Sequence, residues 1–349
     1  MHDYFNGMIC TREGGIQMPE MIKRHLPKGV FSFFTAFVCI TLALCGAVFI
    51  YTPGDIASTQ LFGFGGTAGE ASTWIIYGVI FVYYLIATVL PIDKIIGKVY
   101  PIFGAVLILS AVGIFVMIFA GGHQLAELFG SQMLGGFDFG AENSGITMQL
   151  TDAGWEYYQS VNGVLAQISP TSVVGVVCRS LLGNIGGIIA IIGVIILPVT
   201  TGDTALRSLR LTVAETFHIR QQTAAQRILL ALPIFVLTLG ILIWAKNDPN
   251  GFNTIRKYFG WANQTLSVFA TSSIMIYLMR HGKTRFMWMP AIPFVFYSFV
   301  TSSYLLSAPV GFALDITVSY IIAGVFSALI FAGAVYLGKK QQENRRDLD

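Results

Sequence analysis

Apolar stretches of membrane-spanning length recur from Phe31 to Leu337, and no other feature constrains the chain as tightly. A helix that crosses a bilayer needs about 20 predominantly apolar residues, within a range of roughly 17 to 25. The qualifying segments are 31–51, 73–90, 100–119, 184–201, 228–245, 262–279, 288–306 and 316–337. Only 11% of residues are charged and 54% are hydrophobic, whereas an average soluble domain carries about 25% charged residues. The expected fold class is therefore all-α: a polytopic membrane protein with about eight transmembrane helices, built as a single transmembrane domain over residues 1–349.

The basic residues test that segmentation independently, because short cytoplasmic loops concentrate Lys and Arg. With the N-terminus inside, 17 of the 21 basic residues fall on the cytoplasmic side. Only Arg179, Lys246, Arg256 and Lys257 fall outside. Residues 1–30 then form a cytoplasmic N-terminal segment of loop character and residues 338–349 a cytoplasmic tail. Residues 121–183 form an external loop: a short interfacial helix at its start is followed by an exposed acidic, Gly-rich stretch. The first thirty residues lack the seven-residue apolar core of a signal peptide. The net charge of +3 is small, and no basic patch suggests nucleic acid as a partner. Cys10, Cys39, Cys45 and Cys178 have no CxxC spacing, and the five histidines are scattered, so no metal site or cofactor is expected.

Polar residues in or beside apolar runs carry most of the functional signal. After the run ending IGVII, the chain reads LPVTTGDTALRSLRL, where Pro198 and Gly202 bracket Thr200 and Thr201. Both residue types weaken a helix, so the fourth span is expected to break or end here. Hydroxyls and freed carbonyls beside such a break suit cation coordination, and Asp203 suits charge compensation or proton exchange. The competing reading makes Asp203 the N-cap of a cytoplasmic helix, with Arg207 as its i, i+4 partner and Arg210 as an interfacial anchor. Asn263 and Gln264, in YFGWANQTL, offer donors and acceptors without charge; interhelical bonding is the alternative. Trp261 reads as an interfacial belt residue. Asp93, in LPIDKIIGKVYPIFG, belongs to an intracellular turn and is at most a supporting residue. No phosphate-binding loop, nucleophile elbow or paired-carboxylate site is present, so an enzyme is not expected.

Four stretches, MHDYFNGMICTREGGIQMPEMI, LPIDKIIGKVYPIFGA, GGIIAIIGVIILPVTTGDTALRSLRL and KYFGWANQTL, resemble in order successive parts of the carbon starvation protein A family. The resemblance implies a bacterial inner-membrane, inverted-repeat secondary transporter with a broken-helix site. It implies uptake of peptides or pyruvate in response to nutrient starvation, driven by the proton or another coupling cation. Thr200, Thr201, Gly202 and Asp203 would belong to the substrate or ion region, with Asn263 and Gln264 nearby and Arg207 supporting. Two departures are expected to matter. Family members begin with further spanning helices before the stretch matched by Met1 to Asp3, and carry further spans where this chain has residues 119–172. A shortened chain of this kind is alternatively a membrane partner that inserts without transporting.

Overall fold

A computed structural model of the chain describes residues 2–16, 18–89, 93–120, 146–151, 154–161, 164–219, 221–248 and 250–346. The described helices are α1 (His2–Arg12), α2 (Met18–His25), α3 (Lys28–Ile56), α4 (Ala71–Val89), α5 (Asp93–Ala120), α6 (Pro170–Thr216), α7 (Ala224–Asn247), α8 (Gly251–Arg280), α9 (Trp288–Ser307) and α10 (Ile316–Arg346). Each apolar stretch lies on one of α3 to α10. The protein is thus an all-α polytopic membrane protein. Among the described residues, six helical stretches are long and apolar enough to cross a bilayer: Lys28–Leu61, Pro101–Ala120, Thr171–Thr216, Ala224–Asn247, Trp288–Ser307 and Ile316–Asn344. Helix α4 offers a shorter apolar stretch, Ala71–Ala87, and α8 dilutes its apolar residues with buried Thr271, Ser272 and Ser273.

Three local expectations are corrected. The first thirty residues are not loop: α1 and α2 form because Ile9, Met21 and Ile22 bury one face while Glu20, Lys23 and Arg24 stay out. Ion pairs Lys23–Glu20 (3.1 Å) and Arg24–Glu13 (2.9 Å) close the outer face. The acidic stretch is not loop throughout either. Strands β1 (Ile146–Thr151), β2 (Gly154–Val161) and β3 (Val164–Ile168) form an antiparallel meander in which Tyr157 lies opposite both Met148 and Ile168. Alternation in GWEYYQSV and VLAQI, rich in aromatic and β-branched residues, favours strand over loop. The interfacial helix expected after residue 121 lies outside the described residues.

The third correction concerns α6, which runs unbroken through Pro198 and Gly202 and bends instead at Gly183 (φ 69°, ψ −175°). That conformation is open essentially to glycine alone. Gly187 then lies against the Arg179 backbone, where an added Cβ would come within 2.8 Å of its Cα.

The described residues form two compact units. One comprises residues 1–45, 208–221 and 250–349, and the other comprises 46–207 and 222–249. In the first, Met275, Met279, Ala291, Phe294 and Ala334 join α8, α9 and α10 in one apolar cluster. A cavity of about 460 Å³ is walled there by side chains including Phe33, Phe37, Trp261, Phe294 and Phe326. In the second, Ile56, Cys178, Ala190 and Ile191 join the end of α3 to α6.

Candidate transport site

Pro53, near the end of α3, has no N–H to give the carbonyl of Phe49 one turn earlier. The hydroxyl of Tyr84, a fully buried residue of α4, donates to that carbonyl at 3.1 Å. The same hydroxyl lies 3.5 Å from the carbonyl of Pro198 in α6. Gly202 makes this approach possible, since a Cβ there would collide with the tyrosine hydroxyl and meet Phe49 Cβ at 3.0 Å. The glycine of the TTGD motif is thus a contact point for a tyrosine, within a continuous helix.

Around it, the threonines turn back on their own helix. Thr200 donates to the Leu197 carbonyl at 2.9 Å, Thr201 to the same carbonyl at 2.9 Å, and Thr204 to that of Thr200 at 3.1 Å. These bonds direct the hydroxyls to carbonyls of α6 itself, which stays helical past Pro198. Asp203 is 1% exposed and mid-helix, so it is not an N-cap. Its Oδ2 lies 3.3 Å from Arg207 Nη2, the i, i+4 pairing that the spacing predicts. Arg207 also approaches the Ala87 carbonyl at 3.5 Å. Arg210 is buried and hydrogen-bonds Gln221, so it is not an exposed anchor.

The other anticipated residues are elsewhere. Asn263 and Gln264 are exposed residues of α8 in the other unit. Trp261 donates to the Thr301 carbonyl at 3.0 Å, tying α8 to α9. Asp93 opens α5, and its side chain lies outside the described residues.

A second charged site escaped sequence reasoning. Asp55, in the last turn of α3, and Lys246, in the last turn of α7, form an ion pair at 2.7 Å with side chains only 7% and 4% exposed. Thr171, in the first turn of α6, donates to the other carboxylate oxygen. The ammonium sits 4.8 Å from the Tyr51 ring centroid and 5.5 Å from that of Tyr77, so two aromatic faces help hold the cation. Gly54 admits the Tyr77 ring against the helix. Helix ends contribute as well: a carboxylate is favoured at the N-terminus of α6 and a cation at the C-terminus of α7.

Directly after Asp55 the chain widens into a π-helical turn, Ala57–Leu61, closed by Phe62 N–H donating to the Ala57 carbonyl at 3.0 Å. Ser58 and Thr59 hydroxyls satisfy the Gly54 and Asp55 carbonyls at 2.7 and 2.8 Å. Such wide turns close helix C-termini, and this one ends α3 directly beyond Asp55. One sequence signal pointed here. Lys246 is among the four bases on the side that topology leaves poor in them, and it abuts an apolar run.

The described residues thus define a helical membrane protein with two acid–base pairs, Asp203–Arg207 within α6 and Asp55–Lys246 between α3 and α7. The family model for the carbon starvation protein CstA matches residues 157–304. A protein of Haemophilus influenzae strain Rd, described only as uncharacterized, is 43% identical over 112 residues, covering 32% of this chain and 75% of its own length. An uncharacterized membrane protein of the same organism is 34% identical over 140 residues, covering 32% of this chain and 38% of its own length. The chain belongs to the CstA carbon starvation family. No solved structure matches it.

Proposed function

We propose that the chain acts in proton-coupled secondary transport across the bacterial inner membrane, taking up small carboxylates such as pyruvate, or peptides, with both termini cytoplasmic. The observation that supports this reading is the Asp203–Arg207 pair, held at 3.3 Å inside an apolar helix with the aspartate 1% exposed. Withdrawing a carboxylate from water carries a desolvation penalty that pairing only partly offsets, a cost that a simple membrane anchor has no reason to carry. In this account Asp203 exchanges the coupling proton on the side where α6 meets Ala87, Arg207 holds its charge in place, and Thr200, Thr201 and Gly202 shape the adjoining substrate or ion region. Family membership agrees with transport, and carbon starvation is the family's own description.

Reconstituted vesicles loaded with labelled pyruvate or dialanine outside provide the test. Uptake that collapses with an uncoupler and falls at least tenfold in Asp203→Asn is the expected result. No uptake by correctly inserted protein would instead support a membrane partner that does not transport alone.

A further inference from the structure

We propose that Asp55, Lys246 and Thr171 form a carboxylate-binding site that works by counter-ion exchange, a role that rests on the transport reading and names the group on the substrate it recognises. Lys246 is buried between two tyrosine rings and Asp55 neutralises its charge. When Asp55 takes up a proton, the buried ammonium loses its counter-ion, and an uncompensated buried charge is strongly unfavourable. An incoming substrate carboxylate restores neutrality by taking the place of Asp55 against Lys246. One proton and one carboxylate enter together, and the site is neutral before and after: Asp⁻ with Lys⁺, then AspH with Lys⁺ and the bound anion.

A route for the proton is present in the hydrogen bonds. Thr171 donates to Asp55 Oδ2, and its oxygen lies 2.7 Å from the Ser169 hydroxyl. Ser169 is exposed, and its oxygen lies 2.9 Å from that of Ser172. The hydroxyls form a continuous chain from the surface at the start of α6 to the buried carboxylate. Three polar atoms in register, from an exposed serine to a buried aspartate, exceed what a simple interhelical clamp requires. The groups facing Asp55 are Lys246 from α7, Thr171 from α6, Tyr77 from α4 and Tyr51 from its own helix. Arg179 of α6, hydrogen-bonded to the Gln60 carbonyl of the π-helical turn, supplies a second, exposed cation nearby.

The test measures pyruvate and dialanine binding to the purified, detergent-solubilised protein between pH 5.5 and 8, alongside uptake in vesicles. Wild type is expected to bind more tightly as pH falls, by up to about tenfold per pH unit, the limit for one linked proton. In Asp55→Asn, which imitates the protonated carboxyl, binding is expected to persist and lose its pH dependence. Lys246→Gln is expected to abolish it, while Asp55→Asn/Lys246→Gln keeps the fold, since replacing both partners leaves no buried charge. Thr171→Val is expected to slow proton-linked uptake, and Thr171→Ser to restore it. Unaltered pH dependence in Asp55→Asn, or full binding in Lys246→Gln, overturns the site. Asp55-dependent binding without uptake leaves the site standing and removes the transport reading.

Discussion

Tyr84 illustrates how single polar groups organise the interior of a membrane protein. Its hydroxyl donates to the Phe49 carbonyl, to which Pro53 has no N–H to offer, and it makes this approach because residue 202 is glycine. Tyr84→Phe removes this hydrogen bond to the Phe49 carbonyl, a loss of about 0.5 to 1.5 kcal/mol that a thermal melt of the purified protein would register. Gly202→Ala forces the tyrosine away and should cost about 1 to 3 kcal/mol, as overpacking usually does. The melt should recover in part in Gly202→Ala/Tyr84→Phe, where the colliding oxygen is gone. Asp203 and Arg207 were legible in the sequence because i, i+4 spacing fixes helical neighbours. Asp55 and Lys246 are 191 residues apart, and no local pattern announces that they meet. Gly202 was legible as a special position, but the reason was hidden, since helix weakening and close packing leave the same residue in the sequence.

At the scale of the elements, two departures from regular helix deserve separate tests. The bend in α6 depends on Gly183, and an alanine there would occupy a backbone region costing about 1 to 3 kcal/mol. Gly183→Ala should therefore lower thermal stability, and reduce uptake beyond what the loss of folded protein explains, because α6 carries both Thr171 and Asp203. Docking of α2 gives a pH-dependent prediction. His25 is buried, with Nδ1 2.8 Å from the Met21 carbonyl, and packs against Tyr277 of α8. Burial, the largest influence, pulls its pKa below the usual 6.5, despite opposing contributions from the Met21 hydrogen bond and Glu13. The folded state therefore binds fewer protons than the unfolded state between that lowered value and 6.5. Stability is fully present above 6.5 and is lost as pH falls through the lowered pKa. Melting temperature should drop between pH 7.5 and 5.5, and His25→Gln should flatten the drop. The apolar periodicity announced the helices; the Gly183 bend was hidden because α-helices tolerate glycine, and the strands because their turns adjoin a long polar stretch.

For the whole molecule, the alternation of spans across a membrane and the observed contacts support one another. Counting spans places Asp55, Thr171 and Lys246 on one side, and the structure joins all three. It places Ala87 and Arg207 on the opposite side, and these two also meet. From Gly183 to Asp203 a helix rises about 30 Å, close to the thickness of the hydrocarbon core, so one helix links the two charged sites across it. Single cysteines introduced at Ser169 and at Lys283 should therefore label from opposite faces of oriented vesicles, and labelling from one face would contradict the topology. Which face is cytoplasmic is an expectation from the distribution of Lys and Arg alone. The measurement that tests the central claim most directly is proton entry during substrate uptake, read with a pH-sensitive dye inside vesicles when pyruvate or dialanine is added outside. The account predicts saturable internal acidification by wild type and its loss in Asp203→Asn; substrate uptake without acidification, or acidification unchanged in that variant, would contradict it.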